Sequence, residues 1–121
     1  MEQAALDGGE NTGLARELPP RVTCAAVDLG TNNCRLLVAR PTPYGFQVID
    51  AFSRIVRLGE GVDQSGRLAP QAMGRTLSAL RICAAKMRQR GVDLSRAVAT
   101  EACRRAANFD QFRHRVLREA G

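Results

Sequence analysis

The sequence predicts an α/β domain in which a three-strand antiparallel meander precedes a helix, a parallel strand and a further helix. Three observations carry this reading. Apolar runs at Cys24-Ala25-Ala26-Val27 and Leu36-Leu37-Val38-Ala39 are split by a short polar turn, the signature of two paired strands. Met73, Leu77, Leu80, Ala84 and Met87 recur at spacings of four, three, four and three, which draws one apolar stripe down a long helix. A short apolar run, Ala97-Val98-Ala99-Thr100, follows that helix and lies most economically parallel to a strand of the meander.

Taken in order, Met1 to Pro20 is polar, aperiodic and closed by Pro19-Pro20, and is expected to be a disordered leader. The remainder, 21–121, is one partial domain. Strand one is expected over about Val22 to Leu29 and strand two over about Cys34 to Arg40. Pro41-Thr42-Pro43-Tyr44-Gly45 supplies a turn, and Phe46 to Ile55 a third strand. A Gly-rich loop, Leu58 to Gly66, reads as a flexible connection. Pro70 suits the first helical position, Arg75, Ser78, Arg81 and Arg88 fall off the apolar stripe, and Gly91 suits a left-handed cap. Glu101 to Ala107 is a short helix. Asn108 or Asp110 then caps a second one carrying Phe109, Phe112, Val116 and Leu117. The order ends before a fifth strand, so strand four is expected to keep an open edge and the chain to be the front part of a larger protein.

Composition excludes several classes. The chain has 121 residues, a net charge of +6 and no Trp, so one core of Leu, Val, Ile, Ala and Met is expected. Lys86 is the only lysine; arginine suits bidentate phosphate recognition. The arginines are spread along the chain, which argues against DNA binding through a clustered patch. No run approaches a membrane span. Cys24, Cys34, Cys83 and Cys103 show no paired metal-ligand spacing, and His114 is the only histidine. The expectation is therefore four buried free thiols, a surface histidine and a reduced, cytoplasmic protein.

The chemistry-bearing segment is Asp28-Leu29-Gly30-Thr31-Asn32-Asn33-Cys34-Arg35. A glycine followed by small polar residues in a tight turn exposes successive N–H groups that form an anion-binding concavity. Asp28 adds a carboxylate able to hold a cation or a water against that anion. These residues point to a phosphate site with a metal.

Together with Leu58-Gly59-Glu60-Gly61 and Ala99-Thr100-Glu101-Ala102-Cys103-Arg104-Arg105-Ala106-Ala107-Asn108, the turn resembles the N-terminal part of the exopolyphosphatase/guanosine pentaphosphate phosphatase (Ppx/GppA) family. The resemblance spans Val22 to Gly121. It implies a ribonuclease-H-like fold of the actin, sugar-kinase and heat-shock ATPase superfamily. It further implies a phosphohydrolase parent that releases orthophosphate from inorganic polyphosphate or guanosine pentaphosphate, with polyphosphate or guanosine penta- or tetraphosphate as its ligand partner. On this resemblance Asp28 is the metal-side aspartate, with Mg2+ as the divalent cation. Gly30, Thr31, Asn32 and Asn33 form the first phosphate turn, where the family usually has Ser-Asn-Ser in place of Thr-Asn-Asn. Thr100 and Glu101 reach the cleft from strand four, and Arg104 is the catalytic arginine facing the scissile phosphate. Arg35, at a position that varies in the family, is a further phosphate-gripping candidate. The family's catalytic glutamate and second phosphate turn fall beyond Gly121, so the isolated chain is expected to be inactive; the resemblance also implies a homodimeric parent. The alternative is a non-enzymatic polyphosphate- or alarmone-binding or assembly module.

Overall fold

The computed structural model describes residues 22–120; the expected leader lies outside the described residues. Strands β1 (Cys24–Leu29), β2 (Asn33–Thr42) and β3 (Gly45–Ile55) precede the short helix α1 (Val62–Ser65) and the long helix α2 (Pro70–Gln89). Strand β4 (Leu94–Ala99), helix α3 (Glu101–Arg104) and helix α4 (Phe109–Glu119) complete the order. One four-stranded sheet runs β3-β2-β1-β4. β1 pairs antiparallel with β2 and parallel with β4, and β2 pairs antiparallel with β3. This is the predicted meander with the predicted parallel fourth strand, set at an edge of the sheet.

Alternation decides which residues see the core. Ala25, Val27 and Leu29 of β1 and Cys34, Leu36 and Val38 of β2 are buried together with Leu77, Leu80 and Cys83 of α2 and Phe112 of α4. One sheet face is thus covered by both long helices, and each large side chain buried there contributes roughly 1.5–3 kcal/mol. The helical stripe is as predicted, with Leu77, Leu80 and Ala84 buried and Met73 and Met87 half-buried at its ends. Pro70 opens α2 and Gly91 follows it at φ 63°, a left-handed conformation that L side chains rarely adopt.

The opposite face carries the alternate residues. Asp28 and Arg35 stand directly across from one another in the β1–β2 register, and Arg35 stands across from Ser53. Leu37, Val48, Ile55 and Leu94 share this face by register and are 44%, 55%, 69% and 50% exposed.

Several sequence expectations shift. β2 runs on through Pro41 to Thr42, because a proline is tolerated where its missing N–H is not needed by the ladder. β4 begins at Leu94 rather than Ala97: its pairing with β1 starts at Cys24, and ladder hydrogen bonds outweigh a polar Ser95-Arg96 pattern on an edge strand. The short helix stops at Arg104, and part of the Gly-rich loop coils into α1. Asn108 stands at the N-cap of α4 yet makes no side-chain cap there. Its amide instead accepts from Leu68 N–H at 2.7 Å and donates to Leu68 C=O at 3.0 Å, because a buried polar pair is worth more satisfied than an exposed cap. Cys34, Cys83 and Cys103 are buried free thiols, whereas Cys24 is half-buried. Among the described residues no helix is long and apolar enough to cross a membrane.

Candidate phosphate site

Gly30 to Asn33 closes the β1–β2 hairpin, with Gly30 N–H donating to Asn33 C=O at 2.8 Å. Thr31 and Asn32 form the exposed tip. Where the tip's polar backbone groups go decides what it can bind. Both carbonyls are taken by the loop after β3. Gly59 N–H donates to Thr31 C=O at 3.0 Å, while Val56 and Arg57 N–H both donate to Asn32 C=O, at 2.7 and 2.9 Å. The N–H groups of Thr31 and Asn32 donate to no other group among the described residues. The tip is therefore polarised, with its acceptors engaged by protein and its donors left for a ligand, the arrangement an anion requires.

The turn lines a depression of about 230 Å3 bounded by Asp28, Gly30, Thr31, Asn32, Asn33 and Arg35. The structure thus brings together the predicted metal-side aspartate and all five predicted phosphate-binding residues. The Asp28 carboxylate is exposed and makes no ion pair among the described residues. A single free carboxylate suits Mg2+, which keeps several waters and takes phosphate oxygens as further ligands. No group of three or more His, Cys, Asp or Glu side chains able to hold a metal occurs among the described residues. Asp28 therefore fits a cation shared with a phosphate rather than a cage made by protein alone. Arg35, across from it, supplies a cation on the same face. A larger groove of about 560 Å3 continues from Asp28 and Arg35 over Ala26, Leu37 and Ala51. Beyond the shared Asp28 and Arg35, its lining is apolar apart from Ser53, so the smaller depression carries more of the polar groups.

The β4 end abuts the site through backbone. Thr100 N–H donates to Leu29 C=O at 3.0 Å, which sets Thr100 beside the residue preceding Gly30. Its hydroxyl caps α3, accepting from Cys103 N–H at 3.5 Å. Glu101 is exposed and pairs with Arg105 at 2.9 Å, so its carboxylate is held along α3. Arg104 is exposed, makes no ion pair among the described residues, and does not line the depression. Of the two neighbouring arginines, Arg105 is tied to Glu101 and Arg104 is not.

Cys34 follows the turn directly but faces the core, its sulfur 4.0 Å from that of Cys83. The contact with Cys83 and its burial push the Cys34 thiol well above its ordinary range. It stays protonated and supplies no nucleophile to the turn. His114 is on the surface of α4, as expected.

The Gly-rich loop is not the flexible connection the sequence suggests. A Cβ on Gly59 would collide with Thr31 Cγ2, so only glycine allows the loop this close to the turn. Arg57 takes a left-handed φ of 50°, uncommon for a non-glycine residue. Arg75 on α2 reaches back to the loop, its Nε donating to Val56 C=O at 2.9 Å and its Nη2 to Arg57 C=O at 3.4 Å. Glu60 sits 3.5 Å from the same guanidinium. The roles of Gly59 and Arg75 escape a periodicity reading; the one available hint is an arginine off the apolar stripe within a turn and a half of the helix start.

The Ppx/GppA phosphatase family model matches residues 37–121. Exopolyphosphatase 2 of Mycobacterium tuberculosis is 41% identical over 92 residues, covering 73% of this chain and 29% of that protein. The chain thus spans about three-tenths of the length of the curated relatives it matches. The crystal structure of the Aquifex aeolicus Ppx/GppA family member superposes with a TM-score of 0.79 at 34% identity, over 83% of this chain and 33% of that one. An exopolyphosphatase from Cytophaga hutchinsonii, 24% identical, shares the fold with a TM-score of 0.76 over 81% of this chain and 31% of its own. With the family model matched over residues 37–121 and the fold shared over most of its length, the chain belongs to the Ppx/GppA phosphatase family.

Proposed function

We propose that this chain forms the first phosphate-binding wall of a phosphohydrolase that releases orthophosphate from inorganic polyphosphate or guanosine pentaphosphate. The single observation that carries this is the polarised turn, whose Thr31 and Asn32 carbonyls are bonded by the loop after β3 while their N–H groups stay unbonded among the described residues, at a depression these two residues line with Asp28 and Arg35. In this reading the turn holds the oxygens of the terminal phosphate, and Arg35 offsets their charge. Asp28 holds Mg2+, which when bound would neutralise phosphate charge as it builds. Arg104 approaches from the β4 side and stabilises the equatorial oxygens in the transition state.

Hydrolysis forms a bond between a water oxygen and the terminal phosphorus and breaks that phosphorus's bond to the bridging oxygen. The water must lose a proton to a base within hydrogen-bond reach. Among the described residues, Asp28 is the one carboxylate lining the depression, and holding a cation removes it from that role. Glu101 is engaged by Arg105. We therefore assign the base to a glutamate in the remainder of a longer parent protein, and take the 121-residue chain alone to bind phosphate without hydrolysing it.

The test is orthophosphate release by the longer parent and by this chain, each given polyphosphate or guanosine pentaphosphate with Mg2+. Release by the parent alone, abolished by Asp28→Ala, is expected. A parent that releases none from either substrate would overturn the reading.

A further inference from the structure

We infer that Arg75, on α2 and outside the depression, is a positioning residue for the phosphate turn; this rests on the turn binding phosphate as proposed above. The argument follows a chain of hydrogen bonds. Arg75 donates to Val56 C=O at 2.9 Å and to Arg57 C=O at 3.4 Å. The N–H groups of those same two residues donate to Asn32 C=O. Two residues further on, Gly59 N–H fixes Thr31 C=O. One guanidinium thus holds the Val56–Arg57 peptide, whose N–H bonds the Asn32 carbonyl, and the peptide that follows it.

The fork geometry matters. Arginine presents its donors in a rigid plane that reaches two carbonyls and a carboxylate from fixed, separated nitrogens, whereas lysine offers three donors on one compact, rotatable ammonium. Here it spans Val56, Arg57 and Glu60, with Arg57 held at a left-handed φ. A backbone segment in that conformation persists only where its surroundings fix it. The guanidinium is half-exposed, at 39%, and its ion pair with Glu60 alone would contribute little to stability. Its two bonds to loop carbonyls instead restrict the loop that orients the turn. Fixing donors before a ligand arrives lowers the ordering cost of binding.

The experiment compares the isotope-labelled 121-residue chain with Arg75→Gln, Arg75→Lys and Arg88→Gln by amide NMR. Arg88 is an exposed arginine of the same helix and serves as control for loss of a helix cation. Without ligand, Arg75→Gln is expected to displace the Thr31, Asn32 and Gly59 amide signals and to speed exchange of the Val56 amide. The signals of α4 and of the C-terminal half of α2 should stay in place. In titrations with tripolyphosphate and Mg2+, affinity is expected to fall roughly tenfold, with Arg75→Lys recovering part and Arg88→Gln unchanged. Thr31 and Asn32 signals unaltered in Arg75→Gln would overturn the inference. Should that variant unfold, Arg75→Lys decides the matter, since it keeps the charge but loses the two-carbonyl grip. If the unsubstituted chain binds no tripolyphosphate, the proposed function fails for this chain, while the ligand-free comparison still decides what Arg75 does.

Discussion

Gly59 and Thr31 are in contact through backbone and side chain at once: Gly59 N–H donates to Thr31 C=O at 3.0 Å, and Thr31 Cγ2 fills the space a Gly59 side chain would need. A loop from the far end of the meander therefore closes against the phosphate turn with no room for one methyl group. Gly59→Ala is expected to cost about 1–3 kcal/mol, as overpacking does, because the β-branched Thr31 has few rotamers with which to escape. Thr31→Ser removes the clashing methyl and keeps the hydroxyl. In a double-mutant cycle read by urea denaturation, the pair should recover most of the loss. Two independent, additive costs would contradict the contact.

Arg104 and Arg105 adjoin in sequence but separate in role. Arg105 pairs with Glu101, and Arg104 makes no ion pair among the described residues. Arg104→Ala should change stability by no more than about 0.5 kcal/mol, as an unpaired surface position does. In the longer parent it should lower orthophosphate release by about two to three orders of magnitude. Arg105→Ala should leave release nearly unchanged. Equal losses in the two variants, measured as kcat, would remove Arg104 from the mechanism.

Asn108 is 7% exposed and bonds both backbone groups of Leu68. Asn108→Ala strands a donor and an acceptor away from water and is expected to destabilise by about 2–4 kcal/mol. Asn108→Asp keeps the acceptor for Leu68 N–H but loses the donor to Leu68 C=O. It should be impaired most at neutral pH, where the carboxylate is charged. A urea midpoint unchanged in Asn108→Ala would show that the contact contributes nothing.

Asp50 on β3 fastens α2 to the sheet. Its carboxylate is held below the usual range by the Ala51 N–H, with Arg90 and Lys86 adding to the effect; the ion pairs are 3.3 and 3.5 Å long. A carboxyl whose folded pKa is depressed contributes stability above its unfolded pKa and loses it as pH falls through the folded value. Asp50→Asn should therefore be less stable than the unsubstituted chain at pH 7. The difference in Tm should shrink as pH is lowered below about 4, the unfolded carboxyl range. A difference that does not change with pH would assign the effect to packing instead.

Much of this was legible in the residues themselves. The Gly30–Asn33 turn, the flanking strands and the helical stripe are local patterns, and each is set by interactions within a few residues. Asp28 and Arg35 could be placed on one sheet face from the hairpin alone, since a turn of fixed length sets the register across it. The Ppx/GppA resemblance rested on such local segments, and the family match agrees with it. The N-cap expected of Asn108 failed because a residue 40 positions away offered its side chain a better use. Glu101 was expected at the cleft on the family resemblance, but it does not line the depression and its carboxylate pairs with Arg105.

The sequence alone determined the order of the strands and the two long helices, the stripe that α2 buries, and the Gly30–Asn33 turn, because each follows from short-range periodicity and turn chemistry. Only the tertiary structure decided which way that turn's polar groups face. The carbonyls of Thr31 and Asn32 are claimed by Val56, Arg57 and Gly59, held in turn by Arg75 from a separate helix. Hydrogen bonds between segments so far apart in sequence leave no periodic trace, since they are satisfied by the folded backbone rather than by any local pattern of side chains.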